Sequence, residues 1–137
     1  MVRIAAILAC LLLAGTARAD HRPSHTACDR AKLAGRNFVE CLERAVRESD
    51  AALSEAFTRA HARIDARSDL APTQRTRWKN LLDEAHGLFV RFRNFECQNV
   101  APYESAGGRI GSFEERLACL VDKNATRSSE LTARYRE

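Results

Sequence analysis

Four cysteines, Cys28, Cys41, Cys97 and Cys119, stand far apart in a chain of 137 residues that opens like an export signal. Arg3 supplies a positive end, Ile4 to Ala14 is apolar and uncharged, and Ala17-Arg18-Ala19 has the small-x-small form of a cleavage site. The apolar run falls short of the roughly 20 residues a membrane-spanning helix needs, so residues 1–19 read as a signal cleaved after Ala19, leaving no stable membrane insertion. Ile7-Leu8-Ala9-Cys10 has the look of a lipid-attachment site, but it comes before any full apolar region. Of the five cysteines, Cys10 leaves with the signal. An even set in a small exported domain reads as two disulfides, which places the mature protein in the periplasm or outside the cell.

The remaining chain is a single domain, 28–137, behind a polar leader, 20–27, that carries Pro23 and is expected to be flexible. Removing Arg3 and Arg18 from 22 basic residues leaves 20 against 18 acidic ones, a net charge of +2. Both signs are interspersed, and no basic stripe with interleaved aromatics marks a nucleic-acid surface.

Helical periodicity dominates. From Asn37 to Ile64, apolar or small residues recur every three to four positions: Phe38, Cys41/Leu42, Ala45, Ser49, Leu53, Ala56/Phe57, Ala60 and Ile64. Ser68 to Thr73 is a turn, in which Asp69 or Thr73 can cap the next helix and Pro72 suits a first helical turn. A second stripe, Trp78, Leu81/Leu82, Ala85, Leu88/Phe89, Phe92 and Phe95/Glu96, predicts a helix to about Val100, ended by Pro102. Gly87 interrupts it at a cost of about 1 kcal/mol relative to Ala. Tyr103 to Gly111 reads as a loop, Ser112 and Glu115 as a capping box, and Phe113, Leu117, Leu120/Val121, Asn124, Leu131 and Tyr135 as the inner side of a third helix. The expected fold is all-α, an antiparallel helical hairpin plus a third helix with two disulfides.

Spacing alone leaves the cysteine pairing open. Were residues 28–41 one helix, the two cysteines would lie roughly 20 Å apart, against a limit of about 7 Å for bonded Cα atoms. Pairing Cys28 with Cys41 therefore requires the chain before Gly35 to fold back along the helix. Pairing Cys41 with Cys97 and Cys28 with Cys119 has its own support, since Cys41 and Cys97 sit at similar distances from the turn near Leu70.

No cofactor, metal or catalytic set emerges. The cysteines lack the clustered spacing of a zinc site. The glycine-rich stretch Gly107 to Ser112 lacks the lysine of a phosphate-binding loop. Neither an HExxH motif nor a nucleophile elbow is present, so the chain reads as a non-enzyme. His61 and His86, on different helices, read as solvated. The candidate partner contacts are Arg93, Glu96, Gly108, Arg109 and Ser112, although Arg93 also has structural uses at a helix end.

The order of blocks carries a resemblance. Cys28 and Cys41 come first, then Asp50, Leu53, Ser54 and Phe57; next Phe89, Arg93, Asn94 and Cys97; then Gly107, Gly108, Gly111 and Ser112; and last Cys119-Leu120 with Thr126-Arg127. The chain from Cys28 to Leu131 is similar to the LprI-type family of small exported proteins, which are described as lysozyme inhibitors. Ser54, Phe57, Phe89 and Asn94 stand where that pattern has Asn, Tyr, Trp and Asp. The resemblance implies sequential disulfides, Cys28–Cys41 and Cys97–Cys119. It also implies an exported envelope protein that acts by protein–protein contact, with lysozyme the named partner; the alternative is an accessory or structural domain that binds another periplasmic protein or peptidoglycan. Many lysozymes are basic, so a +2 chain needs a local acidic patch, expected from Glu40, Glu43, Asp83 and Glu84.

Overall fold

The computed structural model describes residues 22–106 and 112–136. Among the described residues five α-helices run in chain order: α1 Pro23–Ala27, α2 Gly35–Asp65, α3 Pro72–Phe95, α4 Ala101–Ala106 and α5 Ser112–Arg134, with a π-helical turn, Glu96–Val100, between α3 and α4. The described residues contain no strand. The all-α expectation holds, and both disulfides are sequential, Cys28–Cys41 and Cys97–Cys119, with Cα separations of 5.9 and 5.4 Å. The chain reversal required by the first bridge is present. Residues 28–34 leave the helix, and Gly35 opens α2 at φ +52°, a left-handed conformation that glycine adopts without steric cost.

α2 pairs chiefly with α5, and the two run parallel. Ser49 meets Asn124 and Ala52 meets Ser128, offsets of 75 and 76 residues. α3 is the antiparallel return between them. Two apolar clusters fill the interface. One, at the disulfide end, holds Cys28, Phe38, Cys41, Leu42, Ala45, Ala118 and Val121. The other, toward the α2–α3 turn, holds Leu53, Ala56, Ala60, Ile64, Leu82 and Leu131. Alanines on the α2 face let α5 approach closely, and each fully buried Leu or Ile contributes about 1.5–3 kcal/mol.

Several local expectations change. Within the leader, Pro23–Ala27 forms a short helix docked on α5: Ser24 is buried, and its backbone N–H and hydroxyl donate to Asp122 at 2.7 and 3.1 Å. Pro102 does not end the helical path. The Ala101 N–H bonds back five residues to the Glu96 carbonyl, and this wider turn lets a new helix begin with proline near its start, where a missing N–H is tolerated. Neither Asp69 nor Thr73 caps α3. Ala71 holds the cap position, the Gln74 side chain accepts from its N–H at 2.9 Å, and Asp69 is taken by Arg67. Glu115, expected to reach back toward Ser112, accepts instead from Arg22 at 2.7 Å.

The α3 stripe also divides. Trp78, Leu82 and Phe89 turn inward, whereas Leu81, Ala85, Leu88, Phe92 and Phe95 are exposed. Leu82 alone is fully buried along the helix. Gly87 serves no close approach inside the protomer, since an added Cβ would meet only the Arg91 guanidinium at 3.7 Å.

Candidate functional site

Between the two apolar clusters lies a polar layer that joins three helices. Asn124 on α5 is 0 % exposed. Its amide N–H groups donate to Ser49 Oγ at 3.1 Å and Asp50 Oδ1 at 2.8 Å, both on α2. Its Oδ1 accepts from Arg93 Nη1 at 2.5 Å, and the same nitrogen reaches Asp50 at 2.9 Å. Nε and Nη2 of Arg93 both donate to Asn94 Oδ1, at 3.0 and 2.9 Å. Arg93, a candidate partner contact, thus has its guanidinium engaged within the fold and its side chain only 11 % exposed. The convergence of Ser49, Asp50 and Asn124 escaped the sequence because it depends on α5 running parallel to α2.

The second concentration of charge is at the disulfide end. Arg22 bridges Glu115 and Asp122, each at 2.7 Å. Lys123 meets Glu96 at 3.1 Å, and Arg30 pairs with Glu114. A cleft of about 370 Å³ runs between these groups, with Glu96, Glu104, Glu115 and Asp122 against Arg22 and Lys123. Carboxylates outnumber cations there. Tyr103, next to Glu104 in the chain, and Phe113 are exposed. Of the remaining candidates, Gly108 and Arg109 lie outside the described residues, and Ser112 is the first residue of α5. The acidic patch expected from Glu40, Glu43, Asp83 and Glu84 does not form. Asp83 lies beside His61, which is 18 residues along α2 from Glu43, or ~27 Å.

His61 and His86 are half-buried and both pack on Phe57. His86 stacks on Phe57 at 4.2 Å, and Phe57 contacts His61 at 4.7 Å. His61 Nε2 lies 2.7 Å from Asp83 Oδ1, although out of line for a hydrogen bond. His86 Nδ1 is buried with no protein partner. Desolvation, then Arg127 and Arg93, hold the His86 pKa below its ordinary 6.5, with Asp83 opposing. As pH falls, the unfolded chain takes up this proton first. The His86 contribution is therefore complete above about pH 6.5 and is lost toward the lower folded-state value. The melting temperature should fall between about pH 7.5 and 5.5, and His86→Gln should flatten that decline. An equal slope in the variant would contradict it.

A family model described as lysozyme inhibitor LprI matches residues 28–131. The chain belongs to the LprI family. No curated relative and no solved structure matches it. The LprI blocks recognised in the sequence map mostly onto the scaffold. Asp50 and Arg93 form the ion pair of the polar layer, Asn94 orients the guanidinium, and Cys97 and Cys119 tie the end of α3 to α5. Phe57 stacks on His86, and Phe89 lies 5.6 Å beneath the Arg127 guanidinium. The LprI pattern therefore encodes how α2, α3 and α5 lock together. Among the described residues no group of three His, Cys, Asp or Glu could hold a metal ion, and no helix is long and apolar enough to cross a membrane.

Proposed function

We infer that this protein is an exported envelope protein that inhibits lysozyme by direct contact. Membership of the lysozyme inhibitor LprI family carries this reading. The contact face assigned to it is the disulfide end: Glu96 and Glu104 along the cleft, exposed Tyr103, and the segment Gly108, Arg109 and Ser112 that leads into α5. Arg93 acts there as a positioning residue, because it fixes the end of α3 from which Glu96 projects. The local excess of carboxylates supplies the attraction that a net charge of +2 withholds from a basic enzyme. A buried aromatic anchor with a charged rim is a common anatomy for such contacts, and Tyr103 is the exposed aromatic nearest Glu104 in the chain.

Lysis of a cell-wall suspension, followed by turbidity, tests this. Purified protein should protect in proportion to its concentration and reach full protection near equimolar ratio. Tyr103→Ala and Glu104→Lys should each weaken protection at least tenfold, a loss of about 1.4 kcal/mol, without changing helicity. Absence of protection at large molar excess, against several lysozyme types, would overturn the assignment.

A further inference from the structure

α3 carries an apolar face that its own bundle leaves largely uncovered, with the Lys123 ammonium over the Phe92 ring at 5.1 Å from its centroid. Leu81, Leu88, Phe92 and Phe95 are 55, 53, 53 and 66 % exposed, and Ala85 is exposed among them. Their spacing, 81-85-88-92-95, alternates four and three, the seam of a helix built to pair with another helix. Together these side chains present several hundred Å² of apolar surface, near the upper limit for a monomer's largest patch.

We propose that this face docks a second copy of the chain, α3 against α3 in antiparallel orientation about a two-fold axis. Two observations select that occupant. The first is size. Antiparallel pairing sets Leu88 against the partner's Ala85 and Phe92 against the partner's Leu81, so each of these layers joins a larger side chain to a smaller one, with Phe95 beyond them at the rim. Parallel pairing would set Ala85 on the partner's Ala85 and Phe92 on the partner's Phe92, which leaves one layer empty and overfills another. The second is charge. Glu84 and Arg91 flank the seam, are exposed, and form no ion pair with any described residue of their own protomer. In the antiparallel register Glu84 lies beside the partner's Arg91, and the two-fold axis repeats the pair. Arg77, next along that edge, meets the partner's neutral Gln98, so no like charges face each other. Two such faces together bury on the order of 1,000 Å², about the lower bound for a specific interface.

Sedimentation equilibrium of protein expressed from the full chain should show a monomer–dimer equilibrium between about 1 and 200 µM. Phe92→Glu should abolish it while leaving the helical circular dichroism unchanged. Glu84→Arg or Arg91→Glu alone should weaken dimerisation on the order of tenfold, by replacing attraction with repulsion at two sites. The double variant Glu84→Arg/Arg91→Glu should restore it. A monomer at every concentration would overturn the proposal, as would a double variant no better than either single one. If the wild type is monomeric and Phe92→Glu loses lysozyme protection, the face belongs to lysozyme and the second copy is excluded. Loss of protection by Tyr103→Ala with dimerisation intact would leave the two assignments independent.

Discussion

Replacing Cys97 and Cys119 together by alanine is expected to lower the unfolding free energy by about 3 kcal/mol and the melting temperature by about 10 °C or more. The bond closes a loop of 22 residues, and its loss returns that loop's conformational freedom to the unfolded chain. The effect should concentrate on α3. That helix buries a single side chain completely, Leu82 near its middle, so its far end depends on two ties to α5: the bridge just past its last turn and the Arg93–Asn124 hydrogen bond. Alanine is the informative substitution, because Cys97 is almost fully buried and a serine hydroxyl would be stranded there. Urea denaturation of oxidised wild type and the double variant measures the difference. An unchanged midpoint would mean that packing and the Arg93 hydrogen bonds hold the end of α3 without the bridge.

The second large effect is expected in the polar layer. Arg93→Ala strands the Asn124 Oδ1 in a position with no access to water, and about 2–3 kcal/mol should be lost. Arg93→Lys should recover little, since one ammonium cannot replace a fork that serves Asp50, Asn94 and Asn124 together. Asn124→Ala should cost a similar amount. The double variant Arg93→Ala/Asn124→Leu should cost clearly less than the two single losses combined, because removing both polar partners leaves fewer unsatisfied groups. Strict additivity in a urea-denaturation cycle would show that the two side chains do not act as one unit. A buried asparagine between apolar clusters also selects alignment: sliding α5 by one turn against α2 would move Asn124 out of reach of Ser49 and Asp50.

How far the fold could be read depended on how narrow each apolar stripe was. On α2 the stripe is narrow, and Phe38, Leu42, Ala45, Leu53, Ala56, Ala60 and Ile64 all proved buried. On α3 apolar residues cover a wide arc, so periodicity could not separate the inward Trp78, Leu82 and Phe89 from the outward Leu81, Leu88 and Phe92. The π-helical turn was invisible because one extra residue per turn barely disturbs three-to-four spacing. Pairing of Cys28 with Cys41 rested on a reversal that spacing could not settle, and Gly35 supplied it. At the site, Arg93 and Glu96 were legible as charged groups near a helix end. Their partners were not, because Asp50 is 43 residues from Arg93 and Lys123 is 27 from Glu96.

The in-parallel pairing of α2 with α5 also governs the order in which this molecule can be completed. Contacts between Ser49 and Asn124, or Ala52 and Ser128, join positions 75 and 76 residues apart, a long reach for a helical protein of this size. While the polypeptide emerges from a ribosome, α2 carries most of its apolar surface with only α3 and the segment around Cys28 and Leu33 as nearby cover. Its main neighbour, α5, is made about 75 residues later. The newborn chain therefore passes through an interval in which a 31-residue amphipathic helix is unpartnered. In that interval a holdase would have something to grip, and premature contact between nascent copies would do the most damage.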